Sequence, residues 1–269
     1  MHWKNLYRGF LMGICDIIPG VSGGTMALVL GIYENFIQAI SGFFSREWKK
    51  HIGFLIPLGV GMITAIIAFA NIIAFLLDNY AQETNFMFTG LLVGVLPLLF
   101  KHSHFKTSFK PMHAVLILTM AALALSVGLA ADSAGAEALQ VTSSNAWMFF
   151  LAGWIASMAM LLPGVSGAFV LLLFGVYQTA TNALSITNPD FIVIALVGSG
   201  VILGFILSSK GIKYLFKNFP SYTYAGIIGL IIGAVFTIYP GLSNGNLFLS
   251  SLTFAAGVAI AYVLGMKEK

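Results

Sequence analysis

Asp16, Ser22, Thr25 and Glu34 are polar or ionisable residues in an otherwise apolar stretch, and they lie within or beside the pentapeptide Pro19-Gly20-Val21-Ser22-Gly23. The same five letters recur 144 residues later as Pro163-Gly164-Val165-Ser166-Gly167. A serine that follows a Pro-Gly break sits where a helix N-cap sits, and the glycines after it let a ligand approach the backbone closely. Unpaired N–H groups and the positive end of the helix then form an anion site. Ser22, Gly23, Gly24, Thr25, Ser166 and Gly167 are therefore candidate binding residues, with Pro19, Gly20, Pro163 and Gly164 shaping the two tips. Two such ends converging in a low dielectric would hold a phosphate without a buried cation. Thr25 has Phe169 as its counterpart, so its hydroxyl belongs to the first copy alone. Glycine and serine also permit tight helix packing in lipid, the competing reading of the same residues.

Asp16 and Glu34 have Met160 and Gln178 as counterparts. An ionisable residue inside a membrane segment is a functional hypothesis, here the uptake of H⁺ or Na⁺ as a coupling ion. A position of Glu34 near the headgroups is the alternative. Arg8 can meet a phosphate bidentately or snorkel to the interface. Tyr33 and Tyr177 are a matched pair, either facing the site or anchoring at the interface.

The elements that must position these residues are themselves duplicated. At the same offset Trp3 falls on Trp147, Gly9 on Gly153, Gly31 on Gly175 and Tyr33 on Tyr177; with a gap of five, Asn79 pairs with Asn218, Gly90 with Gly229 and Gly94 with Gly233. Only 8% of residues are charged and 59% are hydrophobic, whereas a soluble domain is about 25% charged. The chain cannot cover itself with a polar surface. Apolar stretches at about 52–77, 86–100, 112–131, 190–209, 222–240 and 247–266 approach the ~20 residues that span hydrocarbon.

The segments 10–44 and 147–186 are too long for one crossing and short for two, and each is broken by Gly and Pro. Irregular backbone at membrane depth is tolerated only inside protein or against a watery cavity. Each segment therefore reads as a re-entrant hairpin. The expected fold is an all-α integral membrane protein of two inverted-topology repeats, each one re-entrant helical hairpin plus three transmembrane helices. The first repeat covers 1–131, an extracytoplasmic linker 132–146, and the second repeat 147–269.

Charge placement agrees with that threading. With the N-terminus inside, all 13 cations fall on one side, among them Lys4, Arg46, Lys101, Lys110, Lys210, Lys217 and Lys267. Asp78, Glu83, Asp132, Glu137 and Asp190 fall on the other. Positive charge marks cytoplasmic loops, so both termini are expected in the cytoplasm. Inverted repeats bring the two tips together near the midplane and suit alternating access.

Several classes are disfavoured. The single cysteine, Cys15, allows no intrachain disulfide and no thiolate metal cluster. His102, His104 and His113 lack the i, i+4 spacing of zinc enzymes, so neither a metal nor a cofactor is expected. The cations lie at membrane boundaries instead of forming a basic face for nucleic acid. The oligomeric state is left open.

The string GFLMGICDIIPGVSGGTMALVLGIYENFIQAI at 9–40, with the second PGVSG and GVYQ at 175–178, closely resembles the bacterial polyprenyl-phosphate transporters. The resemblance covers essentially the whole chain. It implies translocation of undecaprenyl phosphate from the outer to the inner leaflet of the bacterial cytoplasmic membrane, recycling the carrier lipid for wall synthesis. It places Asp16, Pro19, Gly20, Ser22, Gly23, Gly24, Thr25, Glu34, Pro163, Gly164, Ser166 and Gly167 at motif positions. Ala168 and Phe169 depart from the first copy. Two alternatives share the tip chemistry: a membrane polyprenyl-pyrophosphate phosphatase-like enzyme and a small-anion transporter. Where such phosphatases carry Arg and a second Ser, this chain has Gly23 and Gly24, which removes the cation that phosphoryl transfer needs.

Overall fold

The computed structural model describes residues 2–17, 22–43, 45–103, 109–133, 139–183, 189–241 and 246–267. Among them there are twelve helices and no strand. The first six are α1 (Lys4–Asp16), α2 (Gly23–Val29), α3 (Tyr33–Phe43), α4 (Trp48–Asn79), α5 (Ala81–His102) and α6 (Pro111–Ser133). The second six are α7 (Ala146–Leu161), α8 (Gly167–Leu173), α9 (Tyr177–Ala183), α10 (Phe191–Asn218), α11 (Pro220–Ile238) and α12 (Leu247–Lys267).

Six helices, α4, α5, α6, α10, α11 and α12, are long and apolar enough to cross a membrane. With no water to satisfy a bare peptide group in hydrocarbon, a helix is the way each crossing keeps its backbone bonded internally. α5 and α11 form the centre: half of each span is buried, against 17–22% for the other four. The outer four present their isoleucines, leucines and phenylalanines outward, among them Ile67, Leu118, Ile202 and Phe248. In a bilayer this is the expected arrangement, because lipid tails are as apolar as leucine.

The long helices pair through small residues. α1 packs along α4 and α7 along α10, while α5 lies against α12 and α6 against α11. A methyl added at Gly90 would overlap the Phe254 carbonyl, and at Gly94 it would meet Ala261 at 2.8 Å. In the other half, Gly229 faces Ile117 and Met120, and Gly233 faces Ala121 and Ala124. Each pair is a Gly-x-x-x-Gly stripe that lets two backbones close on one another. α4 and α10 also end alike: the N–H groups of Tyr80 and Phe219 donate to the carbonyls of Leu76 and Leu215.

Each Pro-Gly segment contains three helices, not two. α1 gives way to α2 at the tip, and a second break separates α2 from α3; α7, α8 and α9 repeat the pattern. The second break has one cause in both copies. Gly31 (φ 64°) and Gly175 (φ 66°) occupy the left-handed region that glycine enters without a Cβ clash. The N–H groups of Gly31 and Ile32 return to Leu28 O and Ala27 O, and those of Gly175 and Val176 to Leu172 O and Leu171 O. This is the Schellman bond pattern that satisfies the last carbonyls of a helix.

Candidate functional site

The first tip is built by the ends of two helices. α1 stops at Asp16 and α2 starts at Gly23, with Ser22 in extended backbone as its N-cap. Ser22 Oγ accepts the N–H of Thr25 at 3.3 Å, satisfying one of the unpaired donors of the first turn. The N–H of Gly23 donates to the carboxylate of Asp16. The position expected to hold an anion is thus filled by the chain's own acidic side chain. Pro19 and Gly20 lie outside the described residues. At the second tip α7 stops at Leu161 and α8 starts at Gly167, with Ser166 as an extended N-cap whose side chain makes no capping bond.

The two tips touch. The Gly164 N–H donates to Thr25 Oγ1 at 2.9 Å. Ser22 Oγ lies 3.2 Å from Thr25 Oγ1 and donates to the Leu162 carbonyl at 3.4 Å. Tyr33 Oη donates to the Leu161 carbonyl at 2.8 Å. Ser22, Thr25 and Tyr33 are all buried. A helix ends with carbonyls that lack partners, and the end of α7 finds them in hydroxyls from the other half of the chain. Thr25, the hydroxyl without a counterpart, joins Ser22 and Tyr33 as a link between the halves, accepting an N–H where they donate to carbonyls. Gly164 has φ 81°, and a methyl there would sit 2.8 Å from Leu230 O, so the second tip also requires glycine sterically.

Asp16, Gly23 and Gly24 open on a cavity of about 230 Å³, whose other walls include Met12, Leu161 and Phe205. None of the described residues lining it is a lysine or arginine. A Cβ at Gly23 would stand 2.8 Å from Asp16 Oδ2, and one at Gly24 3.3 Å from Leu161 O. Gly167 is different in kind: a methyl there would overlap the Met160 side chain and stand 2.8 Å from Ala156 O, so it seats α8 against α7.

Two apolar clefts flank the tips. The larger, about 470 Å³, includes Ile73, Leu76, Thr84, Phe88 and Leu91. The smaller, about 310 Å³, includes Ile212, Leu215, Thr223, Ile227 and Leu230. These are the same five positions in the two halves, each pair separated by the 139 residues that separate Asn79 from Asn218. The clefts are equivalent features of the duplicated chain.

The remaining candidates lie elsewhere. Arg8 Nη1 donates to Asn5 Oδ1 at 3.0 Å and its guanidinium lies 5.9 Å from the Tyr7 ring, more than two helical turns from Asp16. Tyr177 is half-buried, and its hydroxyl bonds to no described residue, so the matched tyrosines divide: only Tyr33 reaches the tips. Glu34 is exposed at the start of α3, where Oε1 accepts from Tyr224 Oη at 2.9 Å. The sequence reading did not single out Tyr224, nor the carbonyls of Leu161 and Leu162. Backbone acceptors carry no side-chain signal, and Tyr224 lies 190 residues from its partner.

Six apolar spans around two broken segments that meet in the interior define a multi-pass helical membrane protein. The chain belongs to the VCA0040-like, undecaprenyl phosphate translocase-like family, whose model matches residues 12–254. It is 41% identical over 271 residues to a polyprenyl-phosphate transporter of Staphylococcus aureus (strain NCTC 8325 / PS 47), covering 98% of this chain and 96% of that one. It is 30% identical over 255 residues to a polyprenyl-phosphate transporter of Vibrio cholerae serotype O1, covering 89% of this chain and 79% of that one. No solved structure matches the chain.

Proposed function

We propose that this protein carries a polyprenyl phosphate, undecaprenyl phosphate in a bacterial cytoplasmic membrane, from the outer to the inner leaflet. The observation that carries the reading is the pair of equivalent apolar clefts on either side of the tip contact. A long isoprenoid chain needs an apolar, lipid-facing groove, whereas a small anion needs none. One groove per half also suits a carrier that exposes its site alternately to the two leaflets. The two halves, 1–131 and 147–269 joined by 132–146, are read as inverted repeats with re-entrant hairpins, and both termini as cytoplasmic. That threading is the one that gathers all 13 cations on one side.

The tip geometry suggests how an ion would couple to the lipid. Asp16 and a phosphate both seek the same N–H groups at the start of α2. Binding H⁺ or Na⁺ at Asp16 weakens its hold on the Gly23 N–H and frees that donor for the headgroup. Loss of the ion returns the carboxylate and expels the phosphate. Gly24 and Ser22 complete the cradle on this side. The phosphatase-like alternative is disfavoured because, among the described residues, no cationic side chain lines the tip cavity. The test is transfer of labelled undecaprenyl phosphate between the leaflets of proteoliposomes, with and without pH and sodium gradients. Gradient-driven movement supports the reading. Absence of any protein-dependent movement refutes it.

A further inference from the structure

The two clefts match in position but not in the charge around them. Lys217 in the second half stands where the first half has Asp78, Lys213 where it has Ala74, and Tyr222 where it has Glu83. Glu83 lines the first cleft. In the second half a polar cavity of about 260 Å³ opens between α3 and the C-terminal turns of α10, lined by Glu34, Ile37, Gln38, Lys213, Phe216 and Lys217. Lys213 and Lys217 are one helical turn apart and share a face. Neither forms a hydrogen bond or ion pair with a described residue, though Lys213 lies within electrostatic reach of the exposed Glu47 carboxylate. Like charges so placed repel one another, and an anion seated between them would relieve that repulsion.

The cavity and the second apolar cleft lie on different faces of α10 and share no lining residue. α10 turns Ile212 and Leu215 into the cleft and Lys213, Phe216 and Lys217 into the cavity. Phe216 stands edge-on to Tyr33 at 5.8 Å and to Tyr224 at 5.5 Å, and Tyr33 also lines the cleft. An amphiphile whose chain lies against Ile212 and Leu215 would reach the two ammonium groups by passing its head around α10 past the Phe216 edge. Among the described residues Glu34 is the one acidic group lining the cavity, and its carboxylate is engaged by the Tyr224 hydroxyl.

We propose that Lys213 and Lys217, with Gln38, form a docking site for the monophosphate headgroup on the lysine-rich side of the membrane. The site serves the second cleft only, so the carrier is electrostatically asymmetric: the headgroup is held at one mouth and meets acidic residues at the other. This inference rests on the polyprenyl-phosphate reading and extends it to residues away from the tips.

The test uses the full-length protein in neutral detergent, with native mass spectrometry and titration of three probes: geranylgeranyl monophosphate, geranylgeraniol and inorganic phosphate. The K213Q/K217Q double variant should bind the prenyl monophosphate about a hundredfold more weakly, the loss of two charge-assisted contacts at about tenfold each. It should bind the alcohol as the wild type does and keep the wild-type melting temperature. The K213R/K217R variant should retain affinity, and Glu34→Gln should tighten it, because one like charge is removed. Added salt should weaken the wild type more than the double glutamine variant. Equal monophosphate affinity in wild type and K213Q/K217Q overturns the proposal and leaves the lysines as a complement to the helix end. Inorganic phosphate binding as tightly as the prenyl phosphate, with the same lysine dependence, also overturns it in favour of a free-anion site. A wild type that does not distinguish monophosphate from alcohol refutes the polyprenyl-phosphate reading itself.

Discussion

Replacing Thr25 by valine removes one oxygen and leaves the side chain nearly the same shape. That oxygen accepts the Gly164 N–H at 2.9 Å and lies 3.2 Å from Ser22 Oγ, and Thr25 itself is fully buried. The net value of one such bond is about 1 kcal/mol, but a buried donor left without a partner costs about 1–3 kcal/mol. Gly164 cannot easily turn its N–H elsewhere, because its φ of 81° and the nearby Leu230 carbonyl hold the tip in place. The expected penalty is therefore about 2 kcal/mol, equivalent to roughly thirtyfold in an equilibrium constant. If the contact persists through the cycle, the loss is one of stability, read by thermal or denaturant unfolding in micelles. If it exists in one access state only, the balance of states shifts by that factor, read by accessibility of a cysteine placed at the tip cavity. Thr25→Ser keeps the oxygen and should recover most of the loss. A Thr25→Val protein within about 0.5 kcal/mol of wild type, with unchanged accessibility, would refute the claim that Thr25 joins the tips. So would a Thr25→Ser protein as damaged as Thr25→Val.

Gly23→Val should fold yet lose undecaprenyl-phosphate binding almost entirely, because its Cβ would stand 2.8 Å from Asp16 Oδ2 and crowd the cradle; Ser22→Ala should weaken binding roughly tenfold, and native mass spectrometry with the lipid gives the order. Asp16→Asn should impair gradient-driven transport in proteoliposomes more than lipid binding, since it removes the titratable group while leaving an acceptor for the Gly23 N–H. Equal loss of both would make Asp16 structural. In a protein whose buried Cys15 has been replaced, a cysteine at Ser143 should react with an impermeant maleimide from outside the cell, and one at Lys110 should not. Labelling of both from the same face would sink the inverted threading.

What could be read from the residues alone follows from interactions that are local or repeated. Apolar length foretold helices that span, because hydrocarbon leaves a backbone no other partner. The serine after each Pro-Gly break foretold an N-cap, and Ser22 and Ser166 both stand at one. The matched glycines 90 and 94, 229 and 233 became the close contacts of the central helices. Gly31 and Gly175 were visible as a pair, yet a second helix break at each became evident only from their positive φ and Schellman bonds.

Tertiary structure decided the rest. The duplicated motif suggests two equal tips, but Asp16 occupies the donor of one and the Thr25 hydroxyl ties down the N–H of the other. Tyr33 and Tyr177, alike in sequence, differ because only Tyr33 reaches the open carbonyls at the end of α7. Glu34, Tyr224 and the lysines of α10 come together across about 180–190 positions of chain, and the walls of each cleft are also far apart in sequence. Pairings at that separation depend on which helix faces pack together, and a repeat that predicts equivalent positions cannot say which neighbour each will meet.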